Sequence, residues 1–581
     1  MLGYICKYTP VELLEAFGEE LTLLNPRVNS FHEADTHLHA NLCSYVRAVF
    51  EVFAQGGLDG LVLTSCCDSA RRLYDALTAA WPDKFFFCLD LPRKVNDFTE
   101  GLYEKQLRRM AEAYCLHFGK SLEEAFLTKE LYRICNEKQA LYAAAQAGAP
   151  AGSRSIILTG ARPSDALRQL LRSRGCSIRL DLTCTGSPRT FGLPEGDFDT
   201  VLHAYVHELL NQIPCMRMAK GTGRQQLLDT MADQADGIIC HTMKFCDIYH
   251  YEYTALRSRH QKPLLKLETD CTAENSGQIL TRVEAFLESL DTAAGRPSGT
   301  ADRTAPAAQQ AGDGGRQDPL YILGIDSGST STNAVIINEH GELLSSAVVR
   351  TGAKSIESAQ RARSQVLQQA GLTEAQIRIT AATGYGRISI PFADLHITEI
   401  SCHGKGARLL NPSVRTILDI GGQDSKAIHL NDRGEVTDFV MNDKCAAGTG
   451  RFLEMMARTL EVDLEGLGSL SLQSAQHIQI NSMCSVFAES EVISLIAQNK
   501  EPADIAHGVH EAIVNRSFSL LRRVGLIPGF MMTGGVAKNP GVVQILEEKL
   551  QADVYIYEEP DIVGALGAAV CGLEQLKCKH L

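Results

Sequence analysis

The sequence has no excess of basic residues and no long apolar run. Its formal net charge is -13 over 581 residues, with 56 Lys and Arg against 69 Asp and Glu. Nucleic acids and anionic membranes attract a basic surface, which this balance does not provide. No apolar stretch approaches the ~20 residues that span a bilayer, and the first residues lack the features of a signal peptide. We therefore expect a cytoplasmic protein that binds neither nucleic acid nor membrane.

Tryptophan is nearly absent, with one residue, whereas cysteine is abundant, with 18. Disulfides are rare in the cytosol, so these thiols are expected to be buried, reactive or bound to metal. Thirteen of them precede residue 290 and five follow residue 400. Because a domain holds roughly 150 residues, the chain is expected to contain several domains. Cysteine chemistry is therefore expected in two separate parts of the chain.

Residues 1–290 alternate short apolar strands with helical runs, a pattern typical of parallel α/β layers. We expect two Rossmann-like lobes here, about residues 1–100 and 150–290, with a helical insert between them. Residues 291–318 are rich in Ala, Gly, Pro and Thr and have no apolar periodicity, which predicts a flexible linker. Residues 319–576 are then expected to form a second α/β domain that folds separately.

An internal repeat in the first 290 residues carries six cysteines. Two apolar strands begin with Asp-Gly and are followed by Cys-Asp, at Cys67 and at Cys246. Another cysteine near a helix start precedes each strand, and a third lies further upstream. The repeat therefore pairs Cys6, Cys43 and Cys67 with Cys184, Cys215 and Cys246. Because α/β folds build sites at the carboxyl ends of parallel strands, these loops predict a cysteine-lined site.

The other cysteines of this part are interpreted as core residues: Cys66, Cys88, Cys115, Cys135, Cys176, Cys240 and Cys271. Cys66 adjoins Cys67, and the sequence leaves open which of the two is a ligand. Cys402, which follows an apolar strand, is also interpreted as structural. Three histidines near candidate loops are interpreted as solvated or satisfied, namely His207, His241 and His250.

Four glycine-containing elements follow residue 320 in a fixed order. The first is Asp-Ser-Gly-Ser-Thr-Ser-Thr at 326–332, a turn between two strands whose N–H groups and hydroxyls suit phosphate oxygens. The second is Asp-Ile-Gly-Gly-Gln-Asp at 419–424, and the third is Thr-Gly-Gly at 533–535. A helix with small residues on one face is predicted from residue 561. None of these turns has the GxxxxGK[ST] pattern of a Walker loop.

The order of these elements resembles the ATPase domain of the actin, heat-shock-chaperone and sugar-kinase superfamily. The resemblance implies two ribonuclease-H-like lobes with ATP and Mg²⁺ in the cleft between them. It implies that Asp326 and Asp419 are the carboxylates on the Mg²⁺ side and that Gln423 orients the attacking water. The nucleotide-binding residues that it implies are Gly328, Ser329, Thr330, Thr332, Gly421, Gly422, Gly534, Gly535 and Lys538.

Two cysteines in this part each precede a predicted helix, Cys445 within 442–451 and Cys484 within 481–485. The positive end of a helix dipole favours a thiolate or an anionic metal–sulfur cluster. These two turns resemble the ATP-dependent activators of 2-hydroxyacyl-CoA dehydratases and the ATPase subunits of benzoyl-CoA reductase. In that family two identical subunits share one [4Fe-4S] cluster. The resemblance implies a homodimer with Cys445 and Cys484 as ligands, and ferredoxin or flavodoxin as electron donor.

The first 290 residues resemble the dehydratase component and its relatives, the double-cubane cluster proteins. The matching stretches are 6–14, 42–47, 67–74 and 244–247. In the double-cubane proteins six cysteines hold two cubanes, and the repeat here also supplies six. The resemblance implies a [4Fe-4S] or double-cubane cofactor. This part is shorter than a typical dehydratase subunit. Dehydratases also need a second homologous subunit, which this chain lacks. We therefore expect the substrate to be a small molecule rather than an acyl-CoA.

The expected function is ATP-dependent, low-potential electron transfer to an iron–sulfur domain that reduces a small molecule. One alternative is a fused activator and dehydratase acting on a 2-hydroxyacyl-CoA. A sugar or acyl kinase of the same ATPase fold and a redox sensor without turnover are two others. Zinc also stays open as the metal, although the cysteine gaps are long compared with the CxxC pairs of structural zinc sites.

Overall fold

The computed structural model describes residues 1–147, 154–186, 189–218, 222–272, 276–294, 319–443, 446–480 and 484–579. By its contacts the chain divides into two units, Met1–Leu280 and Thr281–Leu581, called the first and second unit below. None of the helices in these ranges is long and apolar enough to cross a bilayer.

The first lobe of the first unit is a parallel sheet with strand order β2-β1-β3-β4. Its strands are β1 (Leu2–Tyr4), β2 (Leu21–Leu23), β3 (Gly60–Thr64) and β4 (Phe85–Leu89). Its helices are α1 (Val11–Ala16), α2 (His32–His37), α3 (Ser44–Ala54) and α4 (Asp68–Ala80). In β3, Leu61 and Leu63 pack with α3 and α4, whereas Val62 packs on the opposite face. The whole strand is therefore buried, as expected for a central parallel strand.

Two long helices, α5 (Asp97–Phe118) and α6 (Glu124–Ala147), occupy the predicted insert. A capping box of Asn96 and Thr99 begins α5, and Gly119 ends it in the left-handed conformation. Tyr103, Leu107, Met110 and Tyr114 lie three or four positions apart and are fully buried. This spacing gives α5 one apolar face, which explains why the insert is helical.

The second lobe repeats the architecture of the first. Its strands are β5 (Arg154–Gly160), β6 (Cys176–Thr183), β7 (Gly237–Met243) and β8 (Leu264–Thr269), and its helices are α7 (Asp165–Ser173), α8 (Phe198–Asn211), α9 (Thr222–Ala232) and α10 (Asp247–Arg259). All neighbouring strands are parallel, in the order β6-β5-β7-β8. The order by chain position, 2-1-3-4, is the same in both lobes. The expectation of two similar parallel α/β lobes is therefore confirmed.

Glu12 in α1 is a buried charge that joins the two lobes and the insert. Its carboxylate accepts hydrogen bonds from Arg189 at 2.6 and 2.9 Å, from Lys138 of α6 at 3.1 Å and from the Tyr205 hydroxyl of α8 at 2.8 Å. Burial would raise the pKa of Glu12, but the Arg189 guanidinium outweighs it and lowers the pKa to about 2. The charged form of Glu12 therefore stabilises the first unit.

Glu12→Gln is expected to destabilise the first unit by about 3 kcal/mol at neutral pH, because it leaves Arg189 buried without its counter-charge. The ionised carboxylate contributes its full stability above the ordinary pKa of 4.5 and loses it as the pH falls towards 2. Urea unfolding followed by the fluorescence of Trp81, the single tryptophan, reports on this unit. The difference between wild type and variant should shrink below pH 4.5, and a pH-independent difference would contradict this account.

Helix α11 (Ser276–Ala293) spans the division between the units, and its residues from Thr281 onward belong to the second unit. The contact boundary thus lies ten residues before the predicted end of the first domain at 290. Residues 291–293 are helical, so the predicted linker begins inside α11, and positions 295–318 lie outside the described residues.

The second unit contains two five-stranded sheets of the same topology. The first has the order β11-β10-β9-β12-β13, and the second β16-β15-β14-β17-β18. In each sheet three strands are antiparallel and two further strands join in parallel. This duplicated sheet confirms the expected actin-like, two-lobed fold.

The first sheet of the second unit consists of β9 (Tyr321–Ser327), β10 (Ser331–Ile337), β11 (Leu343–Arg350), β12 (Ile377–Thr383) and β13 (Leu395–His396), with α12 (Ser355–Ala370) and α13 (Glu399–Leu410). The second consists of β14 (Thr416–Ile420), β15 (Ser425–Leu430), β16 (Val436–Asn442), β17 (Phe530–Thr533) and β18 (Val554–Ile556). The remaining helices are α14 (Gly450–Thr459), α15 (Leu464–Ser471), α16 (Ser485–Ala497), α17 (Pro502–Val524), α18 (Pro540–Leu550) and α19 (Val563–Lys579).

Candidate functional site

Two equivalent hairpins face one cleft in the second unit. Asp326 is the last residue but one of β9, and Asp419 holds the same place in β14. Asp326 pairs with Asn333 across its hairpin, and Asp419 pairs with Lys426. Both aspartates line a cleft of ≈ 420 Å³. The duplicated sheet therefore brings together two carboxylates that are far apart in sequence.

Most of the predicted nucleotide-binding residues line this cleft: Gly328, Ser329, Thr330, Gly421, Gly422, Gly534, Gly535 and Lys538. The first two turns approach each other closely, since a Cβ added at Gly422 would lie 2.1 Å from Oγ1 of Thr330. A larger residue at position 422 would therefore push the turns apart. The turns offer backbone N–H groups and hydroxyls to the same space, as a phosphate chain requires.

Thr332 and Gln423 are not among the described residues that line the cleft. Side chains alternate along β10, so Ser331 and Asn333 face the cleft while Thr332 faces the opposite way. Thr332 Oγ1 is buried and lies 2.9 Å from Oγ1 of Thr351 and 3.1 Å from Oγ of Ser358. Gln423 is exposed at the tip of its turn. The roles given to both residues stay predictions.

A buried charge network in the cleft was not predicted from the sequence. Nζ of Lys426 lies 3.0 Å from Asp419, 2.8 Å from Asp424 and 3.4 Å from Glu399. His403 of α13 also lines the cleft, with its Nε2 3.7 Å from Asp419. The available signal was a lysine next to Ala427 and Ile428 in a short strand, β15.

The carboxylates of the cleft outnumber its buried cations. Burial raises the pKa of Asp326 and of Glu399, whereas at Asp419 the neighbouring His403 and Lys426 outweigh burial and lower the pKa to about 2. Glu399 Oε1 is buried without a hydrogen-bond partner among the described residues. Such an oxygen-rich, acidic donor set fits Mg²⁺ bound largely through water and phosphate. It agrees with the finding that, in the ranges described, no three His, Cys, Asp or Glu side chains converge on one ion.

The second half of α11 holds two elements of this cleft in place. Glu288 of α11 accepts a hydrogen bond from the Thr398 N–H at 3.1 Å and others from the Thr398 and Ser401 hydroxyls. Thr398 is the N-cap of α13, the helix that carries Glu399 and His403. Glu284 pairs at 2.6 Å with Arg387, which is buried near the end of β12. Helix α11 is therefore part of the wall that supports the cleft.

Glu288→Ala is expected to destabilise the second unit by about 1–3 kcal/mol and to weaken ATP binding. The substitution leaves the Thr398 N–H and two hydroxyls buried without an acceptor, which costs free energy. Scanning calorimetry of the second unit's transition and the Michaelis constant for ATP measure the two effects. Glu357→Ala is the matched control, because Glu357 is exposed and pairs with the exposed Lys354 on the surface. Equal effects of the two substitutions would contradict this role for α11.

All six repeat cysteines line one cavity in the first unit: Cys6, Cys43, Cys67, Cys184, Cys215 and Cys246. Cys66 also lines it, while it packs, partly buried, against the hydrophobic core. The geometry follows from the fold, because the loops at the carboxyl ends of β1, β3, β6 and β7 contribute to the same space. Lys7, Arg162, Arg217 and Tyr249 line it as well, and the sequence analysis did not identify them.

The thiols of this cavity form hydrogen-bonded pairs. The Cys66 thiol bonds to Cys6 and lowers the pKa of Cys6, and the Cys43 thiol bonds to Cys246 and lowers the pKa of Cys246. Sγ of Cys215 lies 3.5 Å from the Tyr249 hydroxyl. These cysteines surround a cavity and, within the described ranges, do not converge on a single ion. Thiolates spread around a cavity fit a multi-iron cluster better than one tetrahedral zinc.

The strand order corrects the sequence repeat. Cys67 and Cys246 are equivalent, since each is the third residue after its strand, β3 or β7, and the N-cap of the next helix. Cys6 and Cys184 are not equivalent, because Cys6 follows the first strand of its lobe and Cys184 follows the second strand, β6. The spacing between cysteines could not reveal this difference, because no repeat cysteine follows β5, the first strand of the second lobe.

The remaining cysteines and histidines lie largely as expected. Cys115, Cys135, Cys176, Cys240 and Cys402 are buried, and Cys88 and Cys271 are half-buried. The histidines have partners: His207 with Glu100 at 3.1 Å, His241 with the Ala161 carbonyl oxygen at 3.1 Å, and His250 with Glu268 at 3.0 Å.

Cys484 is the half-buried N-cap of α16, as predicted, whereas Cys445 lies outside the described residues. Helix α16 buries only Ala488 and Val492. Its large apolar side chains are exposed, with Val486 at 62% and Phe487 at 64%. The helix that follows Cys484 therefore presents an apolar face with no cover from the described part of the chain.

Comparison with known proteins matches the two units to two different families. Residues 323–572 match the model of the BadF/BadG/BcrA/BcrD ATPase family. Residues 6–150 and 126–290 match the model of the 2-hydroxyglutaryl-CoA dehydratase D-component. The activator of lactoyl-CoA dehydratase from Anaerotignum propionicum is 47% identical over 260 residues, which cover 45% of this chain and 100% of that protein.

A further relative and a solved structure match about the same share of the chain. The (R)-2-hydroxyglutaryl-CoA dehydratase activating ATPase of Acidaminococcus fermentans is 44% identical over 252 residues, or 43% of this chain and 96% of that protein. The structure of the 2-hydroxyisocaproyl-CoA dehydratase activator from Clostridium difficile is 39% identical, with a TM-score of 0.43, and the match covers 45% of this chain and 97% of that one.

Proposed function

This chain belongs to the BadF/BadG/BcrA/BcrD ATPase family, and from that premise we propose that it uses ATP to drive low-potential electrons into the first unit, of the same chain or of a second copy. The second unit acts as the activator, and the first unit, which matches the dehydratase D-component, receives the electrons and reduces a small molecule. The observation that carries this proposal is the cavity in which seven cysteines of the first unit meet. A kinase of this fold would have no use for such a cavity.

The cleft between Asp326 and Asp419 is the proposed ATP site. Asp326 and Asp419 would hold Mg²⁺ there, largely through water, and the cation would supply positive charge against that of the phosphates. Asp419 stays ionised and holds the cation side of the cleft, while Ser329, Thr330 and Gly422 line the side proposed for the phosphates. The N–H groups of Gly328 and Gly421 close their turns by donating to the carbonyl oxygens of Ser331 and Asp424. Gln423 lies at the tip of the second turn and is the proposed group that orients water. Lys426 keeps the acidic residues close together by pairing with three of them.

Cys445 and Cys484 are the proposed ligands of a [4Fe-4S] cluster shared by two copies of the chain. A cubane takes four thiolates, and a two-fold axis doubles the two that one chain supplies. The N-cap position of Cys484 supports this, since the positive end of a helix dipole suits an anionic metal–sulfur cluster. The exposed apolar face of α16 supports the dimer, because a second copy of the same face would bury it. Ferredoxin or flavodoxin is the proposed electron donor.

The size of the ATP effect limits how the cleft acts on this cysteine pair. An allosteric coupling of about 1–3 kcal/mol shifts a one-electron potential by only about 40–130 mV. A larger drive needs a change in the solvent exposure around Cys484 or controlled docking of the two units. A redox titration with and without a non-hydrolysable ATP analogue measures this shift.

The first-unit cysteines are the proposed ligands of a double cubane or of separate [4Fe-4S] clusters. The group supplies stored low-potential electrons when bound. Around it, Arg217 donates towards Cys246 over 4.0 Å, and Tyr249 lies near Cys215. These residues hold the thiolates and neutralise part of their charge. Cys67 is the proposed ligand of the adjacent pair Cys66 and Cys67, since Cys67 is the N-cap of α4 as Cys246 is of α10.

A second candidate function is dehydration of a 2-hydroxyacyl-CoA by the same machinery, which the D-component match favours. The two functions are separated by assay of the anaerobically purified full chain with ATP and a reductant. Reduction of small unsaturated molecules without acyl-CoA turnover supports the leading proposal. Dehydration of a 2-hydroxyacyl-CoA with no such reduction would replace it by the second candidate.

A further inference from the structure

An arginine stands in the second lobe where the first lobe has a cysteine. Cys6 is the second residue after β1, and Arg162 is the second residue after β5. These two strands hold the same place in the 2-1-3-4 order of their sheets. Arg162 is therefore the topological counterpart of Cys6, and the cavity contains a cation where its pseudo-symmetry would put a thiol.

Arg162 also occupies the place in its sheet where α/β folds bind ligands. The chain leaves β5 to one side, towards β6, and returns on the other side as β7, so the crevice at their carboxyl ends is a topological switch point. The backbone turns sharply there, with Gly160 at φ +101 and its α-carbon so near β7 that an added Cβ would lie 2.0 Å from the His241 carbonyl oxygen. This turn directs the next residues, including Arg162, to the cavity.

Three cationic side chains line the cavity together with its cysteines. Its described lining contains the cations Lys7, Arg162 and Arg217 and no Asp or Glu. Lys7 donates to the Ile213 carbonyl oxygen, and Arg217 donates towards Cys246. Arg162 differs from both, because its Nη1 is buried and has no hydrogen-bond partner among the described residues. A buried guanidinium donor without a partner is costly, so this position is suited to an acceptor that arrives with a ligand.

We propose that Arg162 binds the anionic group of a small substrate in the first-unit cavity, a carboxylate or another planar oxyanion. The flat guanidinium fork matches two coplanar oxygens, which a lysine at this position would not do. The inference rests on the proposed function in one respect: it identifies the bound anion as the molecule that receives the electrons. Anion binding itself does not depend on iron.

Formate is the probe, because it is the smallest carboxylate. Its binding to the anaerobically purified full chain is measured by saturation transfer to the formate proton at low ionic strength, with iron and sulfide counted on the same samples. A three-atom ligand is expected to bind in the millimolar range. The variants are Arg162→Gln, Arg162→Lys and, as a control, Arg179→Gln, an exposed arginine of the same lobe.

The expected result is formate binding about 10-fold or more weaker in Arg162→Gln, intermediate in Arg162→Lys and unchanged in Arg179→Gln, with equal iron and sulfide in all four proteins. Wild-type protein that does not bind formate, or Arg162→Gln that binds it as wild type does, would overturn the proposal. Loss of iron in both Arg162 variants would also overturn it, since the arginine would then serve the cofactor. Iron-free wild type whose formate binding depends on Arg162 would support this site while refuting the proposed electron transfer.

Discussion

Asp326→Asn is expected to lower the rate of ATP hydrolysis by about 10²–10³-fold, because a metal-linked carboxylate stabilises the transferred phosphate by several kcal/mol. Asp326 is buried and lines the cleft, where burial raises its pKa, and a bound Mg²⁺ would favour its ionised form. Asn has the same shape and lacks that charge. Phosphate release under steady-state conditions measures the loss.

Asp432→Asn is the control for this experiment, since Asp432 lies in the same unit and its side chain is 98% exposed. It should hydrolyse ATP at the wild-type rate. If Asp326→Asn retained more than half of the wild-type rate with an unchanged metal requirement, the assignment of the cleft would be wrong. The iron content should be the same in both variants, because neither substituted aspartate lies among the residues that line the cysteine cavity.

Cys484→Ser is expected to remove about four iron atoms per dimer and to abolish electron delivery to the first unit, because a cubane that loses half of its thiolates does not assemble. Nucleotide binding and the iron of the first unit should stay, since Cys484 lies at the start of α16 and does not line the described ATP cleft. Cys445→Ser should give the same result. Iron and sulfide analysis, with nucleotide binding on the same samples, measures these effects.

Cys578→Ser is the matched control, because Cys578 is an exposed cysteine of the same unit, in α19. It should keep all of its iron and its full electron-transfer rate. If Cys484→Ser also kept its iron, the shared cluster would be excluded. If it lost the ability to bind nucleotide, the two sites would not be independent.

The fold could be read from the sequence because its signals are local. The periodicity and length of apolar runs alone predict the strands at Leu61–Leu63 and Tyr321–Ile325 and the helix at Ser44–Ala54. The glycine turns around Asp326 and Asp419 also have a fixed local pattern, so their place in the cleft was predictable.

The contacts within the sites depend on the order of the strands in each sheet, which cannot be read directly from the sequence. Lys426 meets Asp424 within its own hairpin, but it meets Glu399 of α13 only in the folded unit. Thr332 was placed in the cleft because its turn is rich in hydroxyls, but strand alternation turns it away. Arg162 carries no motif, and it became visible as the counterpart of Cys6 only once β1 and β5 were known to be equivalent.

The central claim is that this chain couples an ATPase to iron–sulfur chemistry in both units, and the iron and acid-labile sulfide content of the anaerobically purified full chain tests it most directly. The account predicts brown protein with iron and sulfide in near-equal amounts, of which Cys484→Ser loses only the share of the second unit. Colourless protein without iron, or protein that holds zinc in place of iron, would contradict it.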